Sequence, residues 1–196
     1  MDRTTRPLVI IGAFAGSLVV GLVLMLWAMG GLRHAAAPAA IGGAFQLTDQ
    51  TGQTVTEKSM LGRPTLVFFG FTHCPDVCPT TLFEMSEVLR AMGKDADGVN
   101  AYYISVDPER DTQSAMKDYL SSFDPRLKGL TGNPEQVSKV LSEYRVYAKK
   151  VPLKDGDYTM DHTASIYLMD RDGKFVSPFN LNRKPEEAAS DLKRFL

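Results

Sequence analysis

The chain is short of the residues that announce most specialised proteins. Its 196 residues include one Trp, two Cys and three His, and 22 Lys plus Arg stand against 23 Asp plus Glu, a formal net charge of −1. Two cysteines make at most one bridge, which excludes a disulfide-dense scaffold. A nucleic-acid binder needs concentrated basic charge against phosphate, and none is present. No internal repeat occurs, and 44% hydrophobic residues exclude collagen-like and wholly disordered classes.

Charge is scarcest at the N-terminus. Residues 1–40 hold 25 hydrophobic residues and, as charges, Asp2, Arg3, Arg6 and Arg33, so residues 41–196 carry a net charge of −3. From Leu8 to Met29, 18 apolar residues are interrupted by Gly12, Gly16, Ser17 and Gly21. At about 1.5 Å per residue such a helix reaches roughly 33 Å, enough for a bilayer core. A transmembrane anchor over 8–30 is therefore expected. Ala35-Ala36-Ala37 would suit a cleaved signal peptide, but the run exceeds the usual h-region of about 7–15 residues. Arg3 and Arg6 before the run, against Arg33 behind it, orient residues 1–7 to the cytoplasm and export the body. With no presequence-like extension, the expected location is a bacterial inner membrane with the domain in the periplasm. The alternative is a mitochondrial inner membrane facing the intermembrane space. Residues 31–43, Ala-rich with Pro38, read as a tether, and 44–196 as one domain.

Within that domain, Phe45–Leu47 and Thr54–Thr56 read as strands around an Asp49-Gln50-Thr51-Gly52 turn. Thr65–Phe71 is a run of β-formers suited to a strand buried on both faces. After Pro79, Leu82, Met85, Val88, Leu89 and Met92 recur at helical spacing until Gly93. Asn100–Val106 is the next strand; Met116, Tyr119, Leu120 and Phe123 mark a helix capped near Asp111. Asn133-Pro134-Glu135-Gln136 starts another helix, with Val137, Val140, Leu141 and Tyr144 as its buried stripe. Strands at about Arg145–Lys150, Ala164–Met169 and Lys174–Ser177 precede a final helix over about Pro185–Phe195. These elements predict an α/β domain, a mixed sheet covered by helices with an N-terminal β-hairpin. A strand that feeds a Cys-bearing turn into a helix is the arrangement of thioredoxin-like domains.

Cys74 and Cys78 are separated by Pro75-Asp76-Val77. A disulfide closing so short a loop restricts the unfolded chain little, so a functional pair is the better reading than a structural staple. At the start of a helix, the dipole and unpaired N–H groups should stabilise a thiolate at Cys78. The pair can then exchange disulfides or bind a soft metal. Dithiol oxidoreductases of this design use Cys-x-x-Cys; the longer loop here also leaves room for an ion.

Gly70-Phe71-Thr72-His73-Cys74-Pro75-Asp76-Val77-Cys78-Pro79 resembles the signature of the Sco/SenC copper chaperones. Asp161-His162-Thr163-Ala164, followed by Ile166-Tyr167-Leu168-Met169-Asp170, resembles their second signature. The resemblance implies a thioredoxin-like domain that binds one copper through Cys74, Cys78 and His162. It further implies delivery to the dinuclear CuA site of cytochrome c oxidase. The implied partners are the copper-accepting oxidase subunit and another periplasmic copper chaperone. The donor chemistry agrees: thiolates favour Cu(I), and imidazole suits Cu(I) and Cu(II). His162 lies 84 residues beyond Cys78, so only the fold brings it to the cysteines. His73 should point away from the metal, and His34 falls in the tether. Asp76 and Asp111 read as helix caps, with Asp107 and Asp111 open to partner docking; Met160 reads as a core residue. The competing classes are a thiol–disulfide oxidoreductase with Cys74 and Cys78 as its redox pair, and a copper or redox sensor. A peroxiredoxin-like reading lacks an assignable peroxide-activating Arg.

Overall fold

The computed structural model describes residues 16–27, 40–154 and 156–196. The chain divides into two compact units, Met1–Ala39 and Ala40–Leu196. In the first, residues 16–27 form a solvent-exposed helix, α1. It falls inside the expected 8–30 span, whose two ends lie outside the described residues, as does His34. Among the described residues no helix is long and apolar enough to cross a membrane.

In the second unit, seven strands form one mixed sheet in the order β2-β1-β5-β4-β3-β8-β9. The hairpin β1 (Gln46–Asp49) and β2 (Thr54–Thr56) forms one edge. Its turn closes because Gly52 takes φ +91° and Asp49 Oδ1 accepts the Thr51 and Gln53 amides. At the centre lie β3 (Thr65–Gly70), β4 (Asn100–Ser105) and β5 (Leu127–Thr131), all parallel. Every residue of β3 is buried, as its unbroken apolar run predicts for a strand covered on both faces. Antiparallel to β3 runs β8 (Ile166–Met169), which pairs with β9 (Phe175–Pro178) through a turn that Gly173 closes at φ +75°.

Helices pack on this sheet by the stripes read from sequence. Along α2 (Val77–Met92), Leu82, Met85, Val88, Leu89 and Met92 are buried, and Gly93 ends the helix. Next come α3 (Gln113–Leu120) and α4 (Pro134–Glu143). The latter opens with a reciprocal capping box between Asn133 and Gln136. The last, α5 (Pro185–Lys193), lies against α2. Outside the main sheet, β6 (Ala148–Pro152) and β7 (Tyr158–His162) form a two-stranded ribbon.

Five features depart from the sequence expectations. Two strands go unread in the sequence: β5, whose Leu-Lys-Gly-Leu-Thr lacks a β-branched run, and β7, whose mostly half-exposed side chains give no apolar alternation. The N-cap of α3 is Thr112, whose hydroxyl accepts the Ala115 amide, because the Asp111 side chain is committed elsewhere. Asp76 occupies the N-cap position of α2 but, with ψ −70°, makes no side-chain cap bond. The third helix stops at Leu120, and Phe123 packs on the core from the segment that follows.

Candidate metal centre

The site forms where β3 ends. Gly70 leads through Phe71-Thr72-His73 to Cys74, and α2 begins three residues later, carrying Cys78 in its first turn. The carboxyl ends of parallel strands are where α/β sheets place their ligand crevices. Both cysteines are free thiols, Cys74 half-buried and Cys78 wholly buried. The Cys78 amide points at Cys74 Sγ, 3.4 Å away.

His162, the last residue of β7, comes to the same spot from the ribbon. Its Nε2 lies 3.9 Å from Cys78 Sγ, and its Nδ1 lies 2.9 Å from the Thr163 carbonyl oxygen. A carbonyl can only accept, so Nδ1 carries the proton and, in the neutral ring, the Nε2 lone pair faces the sulfur. The Phe71 ring meets the imidazole edge to face, centroids 5.8 Å apart, and fixes its tilt. The Cys78 sulfur and one imidazole nitrogen thus meet from segments 84 residues apart, with Cys74 Sγ against the Cys78 amide. Among the described residues no three His, Cys, Asp or Glu side chains are gathered as a metal-holding group, although thiolate and imidazole are donors suited to a soft or borderline metal.

The electrostatics correct one expectation. Burial pushes the Cys78 thiol up to about 12, only partly opposed by the hydrogen bond from the Phe71 backbone. Desolvation outweighs the helix N-terminus because the sulfur lies beneath the surface, not at it. Beneath Cys78, a Cβ added at Gly70 would sit 2.8 Å from Cys78 Sγ and 2.7 Å from Tyr103 Cε2, so only glycine fits there.

Two buried carboxylates hold the surrounding loops. Asp111 accepts the Thr72 amide (3.1 Å), the Thr72 hydroxyl (2.7 Å) and the Ser105 hydroxyl (2.7 Å). It is a clamp on the approach to Cys74 and not a helix cap. Burial pushes the Asp111 carboxyl up, against the Ser105 and Thr72 hydrogen bonds that pull it down. Asp107 accepts Arg110 Nε at 2.5 Å and the Tyr158 hydroxyl at 2.9 Å. Arg110 Nη1 donates to the Tyr158 carbonyl, and its guanidinium lies 3.7 Å from the Tyr158 ring centroid. This cluster fastens the ribbon that carries His162. Sequence reading missed Arg110 and Tyr158; the Asp107–Arg110 pair at i,i+3 was the available signal.

The remaining candidates stand apart. His73 is exposed, its Nδ1 3.1 Å from the Thr72 hydroxyl. Asp76 is exposed beside the loop, and Met160 packs against the core.

Residues 33–196 match the family model described as SCO1/SenC. The chain belongs to the SCO1/SenC family. Among relatives of this SCO1/SenC chain, the mitochondrial SCO2 homolog of Danio rerio is 42% identical over 157 residues, covering 79% of this chain and 56% of that protein. The mitochondrial SCO1 homolog of Homo sapiens is 42% identical over 163 residues, covering 82% and 54%. The chain therefore spans about half the length of these relatives. Bradyrhizobium japonicum ScoI, solved with copper bound, superposes with a TM-score of 0.79 at 76% identity, covering 80% of this chain and all of that one. The thioredoxin-like architecture expected from the Cys-bearing turn holds for this SCO1/SenC domain.

Proposed function

We propose that this protein is a copper chaperone that takes one copper ion as cargo on Cys74, Cys78 and His162. It passes the ion to the CuA site of a cytochrome c oxidase subunit. The approach of His162 Nε2 to within 3.9 Å of Cys78 Sγ carries the reading, because it puts an imidazole lone pair against a buried thiol. Copper in the Bradyrhizobium japonicum homologue supports the choice of metal. The structural neighbour BsSco, described as a member of the Sco family of cytochrome c oxidase assembly proteins, supports the choice of acceptor. Cys74 and His162 are half-buried whereas Cys78 is wholly buried, so an incoming acceptor reaches those two ligands before Cys78 and transfer proceeds by stepwise ligand exchange. The 8–30 segment anchors the chain in a bacterial inner membrane, residues 31–43 tether it, and 44–196 work in the periplasm.

The deciding experiment is anaerobic titration of the reduced full chain with copper, comparing native protein with His162→Ala. The expected result is one tightly bound ion per native chain and collapse of binding in the variant. Unchanged affinity in the variant would remove His162 from the site. Absence of copper binding, with rapid reduction of protein disulfides by the native chain, would establish a thiol–disulfide oxidoreductase in its place.

A further inference from the structure

Coordination of a metal by Cys78 converts its thiol into an anionic sulfur in a place water does not reach, since the residue is 0% exposed. Such a sulfur is stabilised by any donor aimed at it. Beneath it lies Tyr103, on β4 and wholly buried. Among the described residues its hydroxyl is a buried polar atom with no hydrogen-bond partner, an arrangement native interiors seldom tolerate. The void that Gly70 leaves joins the two groups: a Cβ there would lie 2.8 Å from Cys78 Sγ and 2.9 Å from Tyr103 Oη. We propose that the Tyr103 hydroxyl is the hydrogen-bond donor to the Cys78 thiolate sulfur, tuning the copper site from below.

The neighbourhood supports this assignment. The Tyr103 hydroxyl and the Cys78 sulfur flank the same space over Gly70. Among the described residues Tyr119 also has a buried and unpartnered hydroxyl. Its ring stands 6.0 Å from that of Tyr103, one layer further off. Phe68 stacks on Tyr103 with centroids 5.8 Å apart, so the phenol is held in place whether or not the bond is made. An O–H···S bond draws electron density from the sulfur. It therefore weakens covalency to Cu(II), raises the reduction potential and moves the sulfur-to-Cu(II) charge-transfer band to higher energy.

The inference rests on the copper reading above, and one experiment separates the two. The full chain, Tyr103→Phe and Tyr119→Phe are each loaded with Cu(II), and the thiolate charge-transfer band and the Cu(II)/Cu(I) potential are measured. Tyr103→Phe keeps the ring and loses no existing bond of good geometry, so the variant folds. The expected result is a band at longer wavelength and a lower potential in Tyr103→Phe, with Tyr119→Phe matching the native protein. A native band unchanged in Tyr103→Phe, or equal shifts in both variants, would overturn the Tyr103 assignment while leaving the copper reading intact. No thiolate band in the native protein would overturn both.

Discussion

At the scale of the residue, the site is made by what is absent as much as by its donors. Gly70 has no side chain, and that gap lets the buried Cys78 sulfur and the Tyr103 ring pass beneath the end of β3. A methyl group there meets a helix-borne sulfur and a core aromatic, neither of which can move away. Gly70→Ala is expected to cost about 1–3 kcal/mol by overpacking and to loosen copper binding; thermal unfolding and copper titration of the same variant check both. Asp111 illustrates why single residues mislead in sequence. An acidic residue just before a helix reads as a cap, and the capping role went to its neighbour Thr112 because Asp111 turns inward to Thr72 and Ser105. Asp111→Asn keeps the shape but replaces an acceptor with a donor facing the Thr72 and Ser105 groups. A loss of about 1–3 kcal/mol in chemical denaturation is expected from the mismatched hydrogen bonds.

At the scale of the element, the ribbon β6–β7 is the part least supported by apolar packing. Its side chains are largely exposed or half-exposed. The cluster of Asp107, Arg110 and Tyr158 fastens it instead. Tyr158→Phe deletes one bond to a buried carboxylate while keeping the ring under Arg110. Faster amide exchange at 158–162, by about tenfold for a bond worth roughly 1.4 kcal/mol, and slower copper capture are expected, without loss of the main-sheet protection. This element also marks where sequence legibility ended. The strands β3, β4 and β8 and the helices α2 and α4 were readable because their burial imposes an apolar period. In β7 the residues serve a polar anchor and a donor side chain, so hydrophobic pattern carries no trace of it. The three proposed ligands were named in the sequence chiefly through their signature resemblance; for His162 no period, charge or spacing pointed to Cys78, and it is the fold that brings the two together.

At the scale of the whole molecule, the sheet sorts function from stability. The two cysteines stand beyond the carboxyl end of central strand β3, where the ribbon brings His162, whereas Asp124, at the entry to β5, ties elements together at the other end. Its carboxylate takes two bonds from the Arg126 guanidinium and one from the Arg126 amide, its own amide donates to Ser86 of α2, and Arg126 reaches on to the Gly93 carbonyl. The Arg126 hydrogen bonds, opposed by burial, hold the Asp124 carboxyl below its usual value. A carboxyl depressed in the folded state stabilises the fold above its unfolded value of about 3.9 and loses that contribution as pH falls through its folded value. The unfolding free energies of native protein and Asp124→Asn should therefore differ at neutral pH and converge on acidification below about pH 4. Denaturant titrations at several pH values measure this, and a difference independent of pH would refute it.

The 84-residue interval between Cys78 and His162 also has a meaning in time. A chain made from its N-terminus presents both thiols well before the imidazole is synthesised. The imidazole reaches Cys78 only once the ribbon that carries it has docked. Until then the cysteines are an unguarded dithiol, open to oxidation or to any passing soft ion. Docking of the ribbon is thus also the step that brings the imidazole to the buried thiol.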